Sequence, residues 1–330
     1  MQYEKKVLAF YYVWYGTPWG AGGKWRHWDA AGHNPERIIN GLRDIASTHY
    51  PLDGVYDSLD ESTIKRHISQ AKEAGIDGFI LSWWDGWEWS SDIIRELGRR
   101  DDFTQRVLMK CLQLCPKDFS FTIYYETALT FPIRDYDRKL ALEKIYTDIK
   151  MLLEGAAKSD RWIRIDNRPV FVFYIVKNYT VDEWAQIKEK LRKDGFDPFF
   201  IGDTYDVEYL KVMDGLHTYN PIWITRRGLS YEEVFCKISK EIHERKGMYA
   251  ATVCPGFDKR KVKKDSTFVP REDGHYYSTG WKAAIKSEPE WVLICTWNEW
   301  HEGSEIEPSL EYGDDYLYLT KQYASIYKKS

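Results

Sequence analysis

The sequence is short of most features that assign a protein to a class at sight. Its five cysteines, Cys111, Cys115, Cys236, Cys254 and Cys295, are odd in number and loosely spaced, with no CxxC. That argues against zinc and disulfide frameworks, and most of the thiols read as small buried hydrophobes. No apolar run reaches the roughly eighteen residues of a membrane span, so none is expected. There is no surplus of positive charge: 47 Lys and Arg face 51 Asp and Glu, a net charge of −4. Nucleic acid is therefore not the expected main partner, since phosphate binding draws on a basic excess. The start, Met1 to Phe10, has Lys5 and Lys6 but no long apolar stretch and no small-residue cleavage site. It reads as a chain without a secretory leader, in a reducing, cytoplasmic setting.

Several catalytic signatures are missing too. The glycine-rich stretch Gly20-Ala21-Gly22-Gly23-Lys24 matches neither the Walker nor the dinucleotide-binding spacing. No HExxH or HxH pair offers metal ligands, and no GxSxG offers a nucleophilic serine. What is present is a chain of 330 residues, 43% hydrophobic and 30% charged, with ample apolar mass for a large core. Length alone allows two domains, though single α/β barrels also run this long. Phe, Trp and Tyr make up 16%, with 15 Trp and 24 Tyr. Each Trp and Tyr carries a polar atom that wants a partner. The plain reading is an aromatic-rich core; the sharper one is a cleft whose rings stack on sugars.

Short apolar runs alternate with helical patterns. Strands are predicted at 7–15, 76–84, 119–126, 169–176, 199–203, 215–220, 249–257 and 291–298. Most are continuously apolar, as parallel strands buried on both faces are. Helices are predicted at 61–74, 91–114 (with a break at Gly98), 138–157, 181–193, 231–246 and 316–328. The links 206–213 and 276–287 read as short or irregular, and 16–60 as a long functional loop. Eight strands with intervening helices predict one (β/α)8 barrel over residues 1–330. A doubly wound open sheet is the rival.

In such a barrel the active site lies at the carboxyl ends of the strands. The residues there include Tyr12, Trp83, Trp84, Glu126, Tyr174, Asp203, His217, Tyr219 and Asp258. The last strand runs into Thr296-Trp297-Asn298-Glu299-Trp300-His301-Glu302, with Glu305 and Glu307 beyond. Carboxylates beside aromatic rings are what glycoside cleavage needs: a proton donor, a base, and flat faces for the sugar. Glu299 and Glu302 are three apart, so one helical turn would aim both at one site. Crowding also splits their proton affinities, which suits one acid and one base. A metal held by His217, His301, Asp203 and Asp258 is the weaker alternative. His27 lies in Trp25-Arg26-His27-Trp28; a surface histidine is the default there, but its Trp neighbours favour a sugar contact.

These residues carry a family resemblance. YYVWYG at 11–16, RHW at 26–28, YDSLD at 56–60, AGIDGFILSWW at 74–84, YYE at 124–126, PGFD at 255–258, PREDG at 270–274 and, most specific, TWNEWHEGSEIEPS at 296–309 recur in order. Over nearly its whole length the chain resembles glycoside hydrolase family 99, the endo-α-1,2-mannosidases and endo-α-1,2-mannanases. The resemblance implies a (β/α)8 fold, retention of configuration, and no metal or other cofactor. It implies that Glu299 acts as base on the substrate 2-hydroxyl, which attacks the anomeric carbon to give a 1,2-anhydro sugar. Glu302 then protonates the leaving oxygen and later activates water. Glu126 and Trp83 or Trp84 would hold the sugar, with Tyr12, His27, Tyr174, Tyr219, Asp258 and Arg271 as further contacts. The implied partner is an oligosaccharide or polysaccharide. Two other readings stay open: a related enzyme of polysaccharide assembly acting on another α-glycan, and a non-catalytic glycan-binding barrel. Ser304-Glu305 stands where Thr-Gln is expected; the extra charge would either raise the proton affinity of Glu302 or point away.

Overall fold

The computed structural model describes residues 3–84 and 102–330. Eight parallel strands form the centre: β1 Lys6–Tyr11, β2 Gly78–Trp83, β3 Ser120–Tyr125, β4 Arg168–Phe173, β5 Phe199–Asp203, β6 Gly215–His217, β7 Met248–Val253 and β8 Trp291–Ile294. Each pairs with its neighbours in chain order. The ring closes where β1 meets β8 through Lys6↔Trp291 to Ala9↔Ile294. Between β3 and β4 the register is Tyr124↔Val172 and Tyr125↔Phe173. A closed ring leaves no edge strand, and both faces of every strand are buried. This is why Val7, Leu8, Ala9 and Phe10 need no polar alternation; all four are fully buried. The open-sheet rival is excluded.

Every expected strand is present, but most end earlier than their apolar runs. The run 7–15 leaves the ladder after Tyr11, and 291–298 after Ile294. Past Tyr11 the backbone bonds to a side chain instead: Tyr12 N–H donates to Asn298 Oδ1 at 2.7 Å. Hydrophobicity marks burial, and here burial outlasts the strand.

The longer helices among the described residues are α1 Glu61–Glu73, α2 Phe103–Leu114, α3 Arg138–Glu154, α4 Val181–Lys193, α5 Tyr231–His243, α6 His275–Lys286 and α7 Asp315–Lys329; two short ones lie at Phe131–Tyr136 and Ile222–Arg226. Asp60 caps α1 by accepting from Thr63 N at 2.8 Å, and Thr180 with Glu183 forms a capping box on α4. On α1, Ile64, Ile68 and Ala71 form the buried face; burying each isoleucine contributes about 1.5–3 kcal/mol. One expectation is corrected. Residues 276–287 are not irregular but lie almost wholly in α6. Tyr277, Trp281 and Ala284 recur at i, i+4 and i+7 and are buried, a helical stripe disguised by Thr279 and Gly280. The first part of the predicted 91–114 helix, with Gly98, lies outside the described residues.

The 16–60 stretch holds one 3-10 turn, Ala30–Gly32, and a two-residue hairpin pairing Ile38–Ile39 with Leu42–Arg43. It packs on the segment after β8. Ser47 Oγ donates to Trp300 O at 2.9 Å, Leu52 N to Pro308 O at 2.9 Å, and His301 Nε2 to His27 O at 2.7 Å. Among the described residues no helix is long and apolar enough to cross a membrane.

Candidate active site

After β8 the chain folds back on itself. Thr296 N donates to Ser304 O at 2.8 Å and Ile306 N to Thr296 O at 2.9 Å. Inside this fold, Thr296 Oγ1 accepts from Glu299 N at 2.7 Å, and Glu302 N donates to Glu299 O at 3.2 Å. The two glutamates are thus spaced by a single turn rather than by a helix. Gly303 ends the turn at φ +57°, and a Cβ there would lie 2.9 Å from the Asp258 carbonyl oxygen. Glycine alone meets both conditions. The approach is close because Asp258 N donates to Glu302 O at 2.7 Å, which ties the loop after β7 to the pair.

Buried polar bonds hold this turn in place. Asn298 Oδ1 accepts from Tyr12 N, and its Nδ2 donates to Tyr12 O at 2.8 Å and to the Tyr56 hydroxyl at 3.0 Å. The Tyr15 hydroxyl donates to Asn298 O at 3.0 Å and accepts from Trp300 N at 3.1 Å. Glu307 takes bonds from the Tyr56 hydroxyl (2.8 Å), Trp300 Nε1 (3.1 Å) and His67 Nε2 (2.9 Å). Trp297 and Trp300, which flank the pair in sequence, are fully buried. They brace the turn from behind and offer no face to a sugar.

The charges in the mouth act on one another. Burial raises the proton affinity of Glu299 well above the usual carboxylate range, and the negative charge of Glu302 adds to it. Burial raises Glu302 too, opposed by Lys259, whose Nζ lies 3.2 Å from Glu302 Oε1. Glu302 Oε2 is buried and has no hydrogen-bond partner among the described residues. Burial pushes Glu126 up to about 8, against the hydrogen bond it accepts from Ser82 Oγ at 2.7 Å; the charges of Asp203 and Glu302 add to the rise. Burial lifts Asp203 to about 6, although it accepts from Ile175 N and Tyr219 N at 3.2 and 3.0 Å.

Rings line the same space. The hydroxyls of Tyr12 and Tyr219 are 2.5 Å apart. Tyr219 stacks on Tyr124 with centroids 5.6 Å apart, and Tyr174 meets Tyr124 edge-on at 5.6 Å. Burial raises the proton affinity of Tyr12 and Tyr174, and the carboxylates Glu126 and Glu302 add to the rise in both. Trp84 is half-buried and its Nε1 donates to Ser82 Oγ at 2.8 Å, which links it to Glu126. His27 lies flat on Trp14, centroids 4.2 Å apart and planes 6° from parallel, and burial lowers its pKa to about 3. It is a neutral ring in the wall.

Three expected contacts are placed elsewhere. Trp83 is fully buried, stacks on Tyr125 and donates to Gln105 Oε1 at 2.8 Å. Strand alternation turns it away from the face that carries Ser82. Arg271 is held by Glu305 Oε1 at 2.6 Å and by the carbonyls of Gly303 and Glu305. Asp258 is engaged by Arg260 through two 2.8 Å bonds; burial works to raise it, but that guanidinium holds it below the usual range. Glu305 points away from the pair. Burial is outweighed there by Arg271 and by His49 at 2.7 Å, and its pKa is lowered. His217 is buried against Phe10 and Tyr124, with centroids 5.7 Å apart in each case. Among the described residues no three His, Cys, Asp or Glu side chains cluster as a metal site would require. Sequence reasoning missed Lys259, Trp14 and the anchoring role of Asn298; only the position of Asn298 beside Glu299 hinted at it.

A closed parallel barrel with crowded carboxylates and rings at the carboxyl ends of its strands defines a glycosidase. The chain belongs to glycosyl hydrolase family 99, whose model matches residues 2–328. Glycoprotein endo-alpha-1,2-mannosidase of Rattus norvegicus is 26% identical over 335 residues, spanning 92% of this chain and 68% of its own length. The glycoprotein endo-alpha-1,2-mannosidase-like protein of Homo sapiens is 25% identical over 333 residues, with the same coverage. The solved structure of the family-99 endo-alpha-mannosidase from Bacteroides thetaiotaomicron superposes with a TM-score of 0.76 at 23% identity, covering 98% of this chain and 97% of that one. The protein is accordingly an endo-α-mannosidase-family hydrolase.

Proposed function

We propose that this protein is a retaining endo-glycosidase that cleaves α-1,2-mannosidic linkages through the substrate's own 2-hydroxyl. Glu299 takes the proton of that hydroxyl as its oxygen attacks the anomeric carbon. Glu302 gives a proton to the departing glycosidic oxygen. The resulting 1,2-anhydro sugar is opened by water, which Glu302 deprotonates while Glu299 returns its proton to the 2-oxygen. Trp84, Tyr12, Tyr174, Tyr219, His27 and Glu126 hold the sugar. The observation that carries this reading is the buried Glu299–Glu302 pair, one turn apart in a ring-lined mouth. The names of the relatives support the linkage.

Lys259 gives Glu302 a counter-charge at 3.2 Å, while burial and the charge of Glu302 raise the proton affinity of Glu299. A 2-hydroxyl donating to Glu299 favours the charged form that its role as base requires.

The test is incubation of the pure protein with α-1,2-linked manno-oligosaccharides, following product mass and anomeric configuration. Release of an intact oligosaccharide with retention is expected. In Glu302→Gln, turnover of a natural glycan should fall by at least about 10²-fold, the scale of general acid catalysis, while binding persists. Inversion, or wild-type turnover in that variant, would remove the assignment.

A further inference from the structure

Neutral sugars are held by hydroxyl contacts and stacking, and they carry no charge to pair with cations at the rim. The segment 258–265 reads Asp-Lys-Arg-Lys-Val-Lys-Lys-Asp, with five cations in the six positions 259–264, within a chain of net charge −4. It leaves the end of β7 directly beside the pair. Two of the cations are committed, Lys259 to Glu302 and Arg260 to Asp258. Lys261, Lys263 and Lys264 are exposed and form no ion pair among the described residues. The loop that carries them is anchored. Its root is the bond from Asp258 N to Glu302 O, and its turn closes through Lys263 N to Lys259 O at 2.8 Å and Ser266 N to Lys263 O at 2.9 Å. His33, from the long first loop, donates to Lys261 O at 3.1 Å. The backbone of this turn is thus braced beside Glu302, with Lys259 Nζ 3.2 Å from its carboxylate and the three exposed lysines following in the next five positions.

We propose that this loop is a subsite for an anionic group, a phosphate or a carboxylate, carried by the glycan on the leaving-group side of the scissile bond, with Lys259, Lys261, Lys263 and Lys264 as its contacts. The side follows from Lys259, which reaches Glu302, and so the proposal rests on the reading of Glu302 as the acid. Exposed ion pairs are individually weak, so the strength of such a subsite lies in number.

The test uses the full chain and three uncleavable S-linked α-1,2-mannobioses. One is neutral, one carries a 6-phosphate on the reducing-end sugar, and one has that carbon oxidised to a carboxylate. Calorimetry gives each Kd at about 20 mM salt and at about 1 M, where the screening length is about 3 Å. At low salt at least one anionic ligand should bind about tenfold more tightly than the neutral one, with an advantage that high salt removes. Which anion gains tells phosphate from uronate. In the combined variant Lys261→Ser, Lys263→Ser, Lys264→Ser the advantage should fall to about twofold or less. Equal affinities, no binding of any of the three, or an advantage that survives the triple substitution overturns the proposal. Cleavage of an O-linked neutral manno-oligosaccharide, followed in parallel, judges the endo-mannosidase reading separately.

Discussion

Asn298→Ala tests whether the mouth of the barrel is held by the bonds described. The Asn298 side chain is fully buried and makes three hydrogen bonds, two of them to the backbone N–H and C=O of Tyr12 just past the end of β1. Alanine leaves both groups without that partner. The third partner, the Tyr56 hydroxyl, keeps Glu307 and Trp300 and adds little to the loss. An unmet buried polar group costs about 1–3 kcal/mol, so two of them predict a loss of about 2–6 kcal/mol. Unfolding entropy of about 2.1 cal/mol/K per residue, over a chain this long, converts this to a fall in Tm of about 3–9 °C. Thermal scans at one fixed rate, backed by urea unfolding, measure it. Activity should fall as well, because Tyr12 carries the hydroxyl paired with Tyr219 and Asn298 precedes Glu299. A loss of stability under about 0.5 kcal/mol, within the range of ordinary surface changes, would refute the view that Asn298 joins the first and last strands at the site.

Trp84→Ala should weaken glycan binding by about 1–3 kcal/mol, the size of one buried aromatic contact, with little change in Tm. Trp83→Ala should instead cost about 3–5 kcal/mol of stability, as a fully buried Trp does; equal effects of the two on affinity would undo their separation. Arg271→Leu leaves Glu305 buried with only His49 beside it, and urea unfolding should show a loss of about 3–5 kcal/mol; an unaltered midpoint would return Arg271 to the list of sugar contacts. Glu126 is raised to about 8 in the fold, so the folded state holds a proton that the unfolded chain has released between the ordinary carboxylate pKa and pH 8. Its contribution to stability is therefore full at low pH and is lost as pH rises through that window. Glu126→Gln should raise Tm at pH 8.5 relative to wild type more than it does at pH 5, and a gap that does not change with pH would show Glu126 ionised throughout.

The eight strands were legible because strands buried on both faces leave continuous apolar runs, a local signal that needs no knowledge of the partner strand. Where those runs stop being strands was not legible. Tyr12 is buried like the ladder residues before it, and the arrival of Asn298 from the far end of the chain takes its N–H out of the sheet. The α6 helix was passed over because Thr279 and Gly280 interrupt a stripe that the barrel wall completes.

For the site, the sequence by itself determined the chemistry on offer: two glutamates three residues apart after the last strand, with Glu126 and Tyr12 at the ends of others. Those are facts of type and spacing, and closure of a barrel carries them to one mouth whatever the details. Only the tertiary structure decided the sorting of Trp83 from Trp84, which turns on the parity of one strand, and the removal of Arg271 and Glu305 into each other's company. It also decided that Lys259 meets Glu302 across 43 residues of chain. A hydrogen bond or ion pair between distant segments is a property of two surfaces in contact, and neither segment alone records its partner.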